Sequence, residues 1–413
     1  MKRIILKLFI FLIFIFFFFA FYISCNLYKV IKNDMRIGCN LPDSFKITLP
    51  INIDDRGYFC INAEINNEYD MDFIIDTKAI NLAKEEDIKK FNSNYMGTSP
   101  ISTRNMYGQK EKFPLYYFDS FEIPPLKFNN PSFFSISSTN HLHSMMYKNI
   151  LGVNLLKHLR WKFSIDDRQM ILFDNNNTSL LNEETEGFLK IENGLRDNNI
   201  ILSYPFEMEH NPFTLDIGFL GEISINNESF KKINQYFPYK KILTDRAASI
   251  DTTYVFEGLK VKINDINVPN CQLIYSAKIN RNLVGVKMMH RFNFVLAYSY
   301  YKKETSSEHL FIQPVKNFNS LTFEPYVNKF GFQIRKTEDG LIISGIEIGG
   351  MAEIAGLKIR DKVLSVDNKN FYLKVESNKG EDFLTYLANK EHIEIQIERN
   401  KEIMKFQLSL AQS

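Results

Sequence analysis

Phe73-Ile74-Ile75-Asp76-Thr77-Lys78 and Phe213-Thr214-Leu215-Asp216-Ile217-Gly218 are two versions of one pattern, a short apolar strand that ends on an aspartate. The likeness extends beyond the triplets. Ile150-Leu151-Gly152-Val153-Asn154-Leu155-Leu156 trails Asp76 at nearly the same distance as Leu283-Val284-Gly285-Val286-Lys287-Met288-Met289 trails Asp216. A further apolar strand closes each copy, at Phe163-Ser164-Ile165-Asp166 and at Phe292 to Tyr298. A repeat of this length is one structural unit used twice, so two similar halves are expected.

From about Ile47 the text reads as strands: short runs rich in Ile, Phe, Tyr and Val, broken by Asn, Asp, Gly and Pro. The pairs Asn66-Asn67, Asn129-Asn130 and Asn226-Asn227 fall between such runs and predict hairpin turns, because asparagine tolerates left-handed backbone. Helical content is sparse in these halves, with short helices expected at Lys84 to Phe91 and Ser229 to Tyr236, each shortly after an aspartate triplet.

The chain has 413 residues, which is more than one hydrophobic core usually organises, with 45% hydrophobic and 24% charged residues, ordinary for a globular protein. A formal charge of +2 gives no reason to expect a nucleic-acid partner. Lysines around Lys84 to Lys90 are interrupted by Glu85, Glu86 and Asp87 and read as a solvated face.

Lys2, Arg3 and Lys7 precede an unbroken apolar run from Leu8 to Ile23, the pattern of an export signal. The run is shorter than the roughly 20 residues that span a bilayer comfortably, which favours a cleaved signal while leaving a signal-anchor open. Tyr22-Ile23-Ser24-Cys25 resembles a loose bacterial lipobox, so segment 1–25 ends in lipidation at Cys25, plain secretion or anchoring. Each route places the body of the protein outside the cytoplasm, in the envelope, the periplasm or the medium. Beyond Cys25 only Cys39, Cys60 and Cys271 remain, too few for a disulfide scaffold. A Cys39–Cys60 bridge and buried free thiols are both open.

The halves 45–180 and 186–315 resemble the lobes of the pepsin and retropepsin superfamily, in its bacterial aspartyl protease branch. There each lobe carries Asp-Thr-Gly or Asp-Ser-Gly after an apolar strand, and an apolar-apolar-Gly loop backs the aspartate. The resemblance implies Asp76 and Asp216 as a dyad sharing one water and one proton, because two like charges so close cannot both be ionised cheaply. It also implies that Thr77 would lock its loop and Gly218 would allow close backbone packing. Lys78 replaces one glycine and Ile217 replaces one hydroxyl residue. Ile217 cannot brace its loop, and a Lys78 turned toward the carboxylates would favour double ionisation; turned outward, its backbone N–H could still serve.

In such proteins a mobile hairpin covers the site. Met106-Tyr107-Gly108-Gln109 lies where that flap is expected, with Tyr107 in the position of the flap tyrosine. His141-Leu142-His143 puts two imidazoles on one strand face, yet no nearby cluster completes a metal set, so neither metal nor cofactor is expected.

After Lys316 to Ser320 the character changes. Phe330-Gly331-Phe332-Gln333-Ile334, Gly349-Gly350-Met351-Ala352-Glu353-Ile354-Ala355-Gly356-Leu357 and Asp361 to Asp367 resemble a PDZ domain over 321–411, with Arg360 where the bacterial pattern usually has glycine. The resemblance implies an extended peptide added to a sheet edge, its terminal carboxylate held by the amides of Phe330, Gly331 and Phe332. Phe332, Ile334, Phe383 and Leu387 would line the groove, the last two one helical turn apart on a helix opened by Gly380-Glu381-Asp382.

The sequence therefore predicts a mostly β protein with two pepsin/retropepsin-like lobes followed by an α+β PDZ domain. Two functions are compatible with it: a catalytically degenerate, envelope-associated peptide scaffold reading Asp-Thr-Lys and Asp-Ile-Gly, or an aspartic endopeptidase working through a water shared by Asp76 and Asp216. Both have peptide or protein partners and an N-terminal membrane attachment.

Overall fold

The structure, a computed structural model, describes residues 38–410 except 40, 42–43, 92, 99–102, 105–109, 139, 141–142, 144–145, 193, 196–199, 204–210, 247–248, 299–307, 322–324, 338–339 and 372–382. It is mostly β. The chain forms two compact units, one running to Leu195 and including Asn293–Gln313, the other comprising Arg196–Phe292 and the chain from Pro314.

In the first unit, Phe59–Ile65 and Tyr69–Ile75 form a hairpin whose turn holds Asn66 and Asn67 at φ 53° and 55°, the left-handed backbone expected of that pair. Asp76 follows directly. Asn149–Leu151 lies parallel to the aspartate strand, with Phe73 opposite Asn149 and Ile75 opposite Leu151. Leu82–Lys84, Ser132–Ile136, Pro114–Tyr117 and the edge strand Asn94–Thr98 extend the sheet in that order. Phe73, Phe91, Phe118, Phe121 and Phe133 are buried beneath it. Phe73 meets Phe121 edge-on at 5.3 Å, and Phe91 meets Phe118 edge-on at 5.5 Å, contacts of about 1 kcal/mol each beyond their burial.

A second sheet, ordered Leu189–Ile191, His309–Pro314, Phe292–Ala297, Arg160–Ser164, Gln169–Phe173 and Lys46–Pro50, completes this unit. The strands after residue 292 were expected to remain with the second half. They leave it because Arg160 to Phe163 pair with Ala297 to Phe294, and Phe163 stacks on Phe294 at 4.4 Å.

The second unit repeats the order strand for strand: Ile200–Ser203, Asn211–Asp216, Leu283–Gly285, Ile223–Ile225, Ile266–Ser276, Ile250–Ile263 and Lys240–Asp245. Thr214 lies opposite Leu283 and Asp216 opposite Gly285, again in parallel. Asn226-Asn227 is not a hairpin turn. Asn226 caps the helix Asn227–Ile233, its side chain accepting the Ser229 N–H at 2.9 Å, so this pair opens a helix.

Lys240–Asp245 carries on into the C-terminal module, pairing antiparallel with Gly340–Glu347 so that Ile242 faces Glu347 and Thr244 faces Gly345. Phe332–Thr337 flanks Gly340–Glu347, and Lys362–Val366, His392–Arg399 and Glu402–Ser409 follow. Met351–Ile354 and Phe383–Ala388 are the helices of this module among the described residues.

Candidate functional site

Asp76 sits in a loop held from behind. Its N–H donates to Leu151 O at 3.0 Å, and its Oδ1 accepts the Lys78 N–H at 2.7 Å and the Ala79 N–H at 2.9 Å. Ala79 O accepts the Val153 N–H at 2.9 Å, while the Gly152 N–H donates to Asn81 Oδ1 at 2.8 Å. A Cβ on Gly152 would lie 2.3 Å from the carbonyl carbon of Ile80. Glycine is needed there for closeness, because its backbone is ordinary extended, φ −103°.

Asp76 keeps some accessible surface, yet the protein crowds it densely enough that burial pushes its carboxyl above the usual range. The Lys78 and Ala79 amides, and more weakly the Lys78 charge, pull it back. The Lys78 side chain is exposed while its N–H serves the carboxylate; Thr77 is buried.

The second copy has the same frame. The Val286 N–H donates to Phe219 O at 2.9 Å, and the Gly285 N–H donates to Glu222 O at 2.8 Å. A Cβ on Gly285 would stand 2.2 Å from Gly221 O, and Gly285 has φ −101°, close to that of Gly152. Ile217 is fully buried and Gly218 half-buried. Asp76 belongs to the first unit and Asp216 to the second.

Where the first copy uses the neutral Asn81, the second buries an ion pair. Glu222 Oε1 accepts from Arg291 Nε at 2.7 Å and Oε2 accepts the Gln272 N–H at 2.6 Å; both side chains are almost completely buried. Burial pushes the Glu222 carboxyl up and Arg291 pulls it back. Donors on both oxygens are the geometry of a carboxylate. Arg291 also donates through Nη1 to Leu321 O at 3.2 Å and through Nη2 to Asn270 O at 3.1 Å, so each of its three nitrogens carries a bond.

In the C-terminal module Phe330, Phe332, Phe383 and Leu387 are buried in one cluster, with Ile334 partly buried against it. Phe332 and Phe383 meet edge-on at 6.4 Å. The Phe330 N–H donates to Asn328 Oδ1 at 2.9 Å, the Gly331 N–H to Asn328 O at 2.9 Å, and the Phe332 N–H to Asn328 Oδ1 at 3.5 Å. Arg360 has φ 73°, left-handed backbone that explains why glycine suits this position. Its guanidinium meets Asp245 Oδ1 through Nε at 3.1 Å and Nη2 at 2.9 Å, and Arg335 meets Asp245 Oδ2 at 2.6 Å.

Thr103–Arg104 and Lys110–Glu111 pair antiparallel where the flap hairpin was expected; Tyr107 lies outside the described residues, as do Cys25 and His141. His143 faces the Glu86 carboxylate at 2.9 Å, and no group of three metal-binding side chains occurs among the described residues. Cys60 and Cys271 are buried free thiols, which settles the open question about Cys60 against a bridge. Burial pushes the Cys60 thiol up to about 12. No helix among the described residues is long and apolar enough to cross a membrane.

Residues 320–373 match the family described as PDZ domain, so the chain carries a PDZ domain there. No curated protein matches the chain. Among solved structures, a retropepsin-like aspartic protease from Rickettsia conorii is 22% identical, covering 32% of this chain and 97% of its own, with a TM-score of 0.23. The HtrA-type protease AlgW with decapeptide is 13% identical over 55% of this chain and 79% of its own, with a TM-score of 0.17.

Proposed function

We propose that this chain is an exported, envelope-associated protein of the aspartic-peptidase type that holds peptides with its lobes and its PDZ domain and hydrolyses them weakly or not at all. The observation that carries this reading is a cradle built twice with unequal contents. Both copies keep the aspartate, the parallel strand and the glycine packed against a carbonyl. Only the first keeps a hydroxyl residue after the aspartate; the second has the fully buried Ile217, whose side chain has no donor. Peptide hydrolysis by two carboxylates requires that one hold a proton while the other takes one from water, with both loops fixed. The apolar run from Leu8 to Ile23 behind Lys2, Arg3 and Lys7 supports export.

An active endopeptidase is the second reading. It is favoured by Lys78, whose side chain is exposed and whose amide supports Asp76, so the replaced glycine does not itself disable the first loop.

Cleavage of denatured casein at acid pH by the purified protein separates the two. The weak-site reading expects slow or absent release of fragments, and a rise of about tenfold in Ile217→Thr, the worth of one recovered hydrogen bond. Brisk wild-type cleavage abolished by both Asp76→Asn and Asp216→Asn would establish the peptidase instead.

The state of Asp76 is tested by stability. Its folded pKa is raised, so its protonated form favours folding below about pH 4, the unfolded value, and that contribution is lost as pH rises through the folded pKa. Asp76→Asn should therefore melt higher than wild type at neutral pH, with the gap closing near pH 3. An equal gap at both pH values would contradict a desolvated carboxyl.

A further inference from the structure

We propose that the PDZ groove, between Phe332–Thr337 and Phe383–Ala388, accepts an internal extended segment of a polypeptide and excludes a free C-terminus, because Asn328 occupies the amides that a terminal carboxylate would need. The inference rests on the reading that this domain docks peptides and adds which kind.

Capture of a terminal carboxylate requires backbone N–H groups that point into an open pocket. Here the Phe330 N–H is bound to the Asn328 carboxamide oxygen at 2.9 Å, the Gly331 N–H to the Asn328 carbonyl at 2.9 Å, and the Phe332 N–H reaches the same carboxamide oxygen at 3.5 Å. The Asn328 N–H donates back to Phe332 O at 3.0 Å, so one residue closes the loop from both ends. Lys329, the cation beside these amides, donates to Ala388 O at 2.8 Å and ties the loop to the end of the groove helix.

The pocket for a terminal side chain is also filled, since Phe330, Phe332 and Leu387 are 0%, 0% and 1% exposed. Phe371 packs on Phe383 at 5.0 Å and on Tyr386 at 5.2 Å, adding to that filling. A carboxylate would have to displace the Asn328 oxygen before it could reach the Phe330 and Phe332 amides, exchanging bonds already made for new ones and so gaining little. The strand itself is different. Among the described residues Phe332–Thr337 pairs only with Gly340–Glu347, so its other edge retains the donors and acceptors that a passing strand needs.

The experiment uses the full chain, site-resolved hydrogen exchange, and acetyl-Ala-Val-Ala-Phe as free acid, as C-terminal amide, and embedded in a longer peptide. Without peptide, the Phe330 and Phe332 amides should exchange slowly in wild type and in Asn328→Asp, and about tenfold faster in Asn328→Gly. Protection kept in Asp, which retains the accepting oxygen, and lost in Gly, which lacks it, ties the slow exchange to that oxygen. With peptide, wild type should bind the acid no better than the amide or the embedded form, and Asn328→Gly should gain an acid preference of about tenfold. Fast wild-type exchange, or a tenfold wild-type preference for the acid, overturns the proposal. Binding of no form to either protein overturns docking at this groove, while the exchange result still decides whether Asn328 closes the loop.

Discussion

The two lobes run through the same strand order and then part at the outer edge of their sheets. In the first, Asn94–Thr98 ends the sheet among the described residues, and the chain makes the small hairpin Thr103–Arg104 with Lys110–Glu111 before returning at Pro114. In the second, Lys240–Asp245 turns straight back, with Asp245 paired to Ile250, and its outer edge is taken by Gly340–Glu347 of the PDZ domain. An unpaired edge invites further strands, and the second lobe satisfies its edge from within the chain. The frame that presents an aspartate is the same in both copies, while the periphery is a hairpin in one and a docking rail in the other.

If the cradle is one device used twice, breaking it should cost the same in either copy. Gly152→Ala and Gly285→Ala each drive a Cβ to within 2.3 and 2.2 Å of main-chain atoms, which no flexible side chain can relieve. Each should lose about 3 kcal/mol, the upper part of the overpacking range. Chemical denaturation followed with a probe in each unit should show Gly152→Ala lowering the first unit's midpoint and Gly285→Ala the second's. A loss below about 1 kcal/mol in one copy would mean that its loop has room to relax and that the copies are no longer equivalent.

The glycines, the aspartates and the PDZ pattern were legible in the sequence because each is a local requirement: close approach, a strand end, a loop followed by a helix. What was not legible depends on partners distant in the chain. Glu222 reads as a loop glutamate until Arg291 is folded against it. The boundary near 315 misplaced Phe292–Ala297, because periodicity marks a strand without naming the neighbour it pairs with. Asn226-Asn227 has the composition of a turn and the position of a helix cap, and only the following Ser229 N–H decides between them. Asn328 was not legible since it lies just outside the Phe330-Gly331-Phe332 pattern, although its carboxamide accepts the first amide of that pattern at 2.9 Å. A polar side chain two residues before such a loop is the signal that was available.

The rail between the second lobe and the PDZ domain is the place where the lobes differ most, and Asp245 is its polar anchor. Its carboxylate is 2% exposed, while Arg335 and Arg360 are 30% and 50% exposed. Asp245→Ala should cost about 2 kcal/mol, since two charge-assisted contacts go but solvent reaches both guanidiniums. Hydrogen exchange at Ile242 to Thr244 reports whether the loss falls on the strand pairing. Arg360→Gly divides the anchor further. It removes a half-exposed ion pair worth roughly 0–1 kcal/mol and relieves a left-handed residue at about 1 kcal/mol, while glycine loosens the unfolded chain by about 0.5 kcal/mol. The sum is close to zero, and the Arg360 N–H bond to Ile343 O at 2.8 Å survives in glycine. A melting temperature within about 2 °C of wild type is therefore expected. A much larger drop would make Arg360 the fastener of the PDZ domain; an unchanged value with faster exchange at Ile242 to Thr244 would assign fastening to the strands and Arg335, leaving Arg360 to hold Asp245 in place.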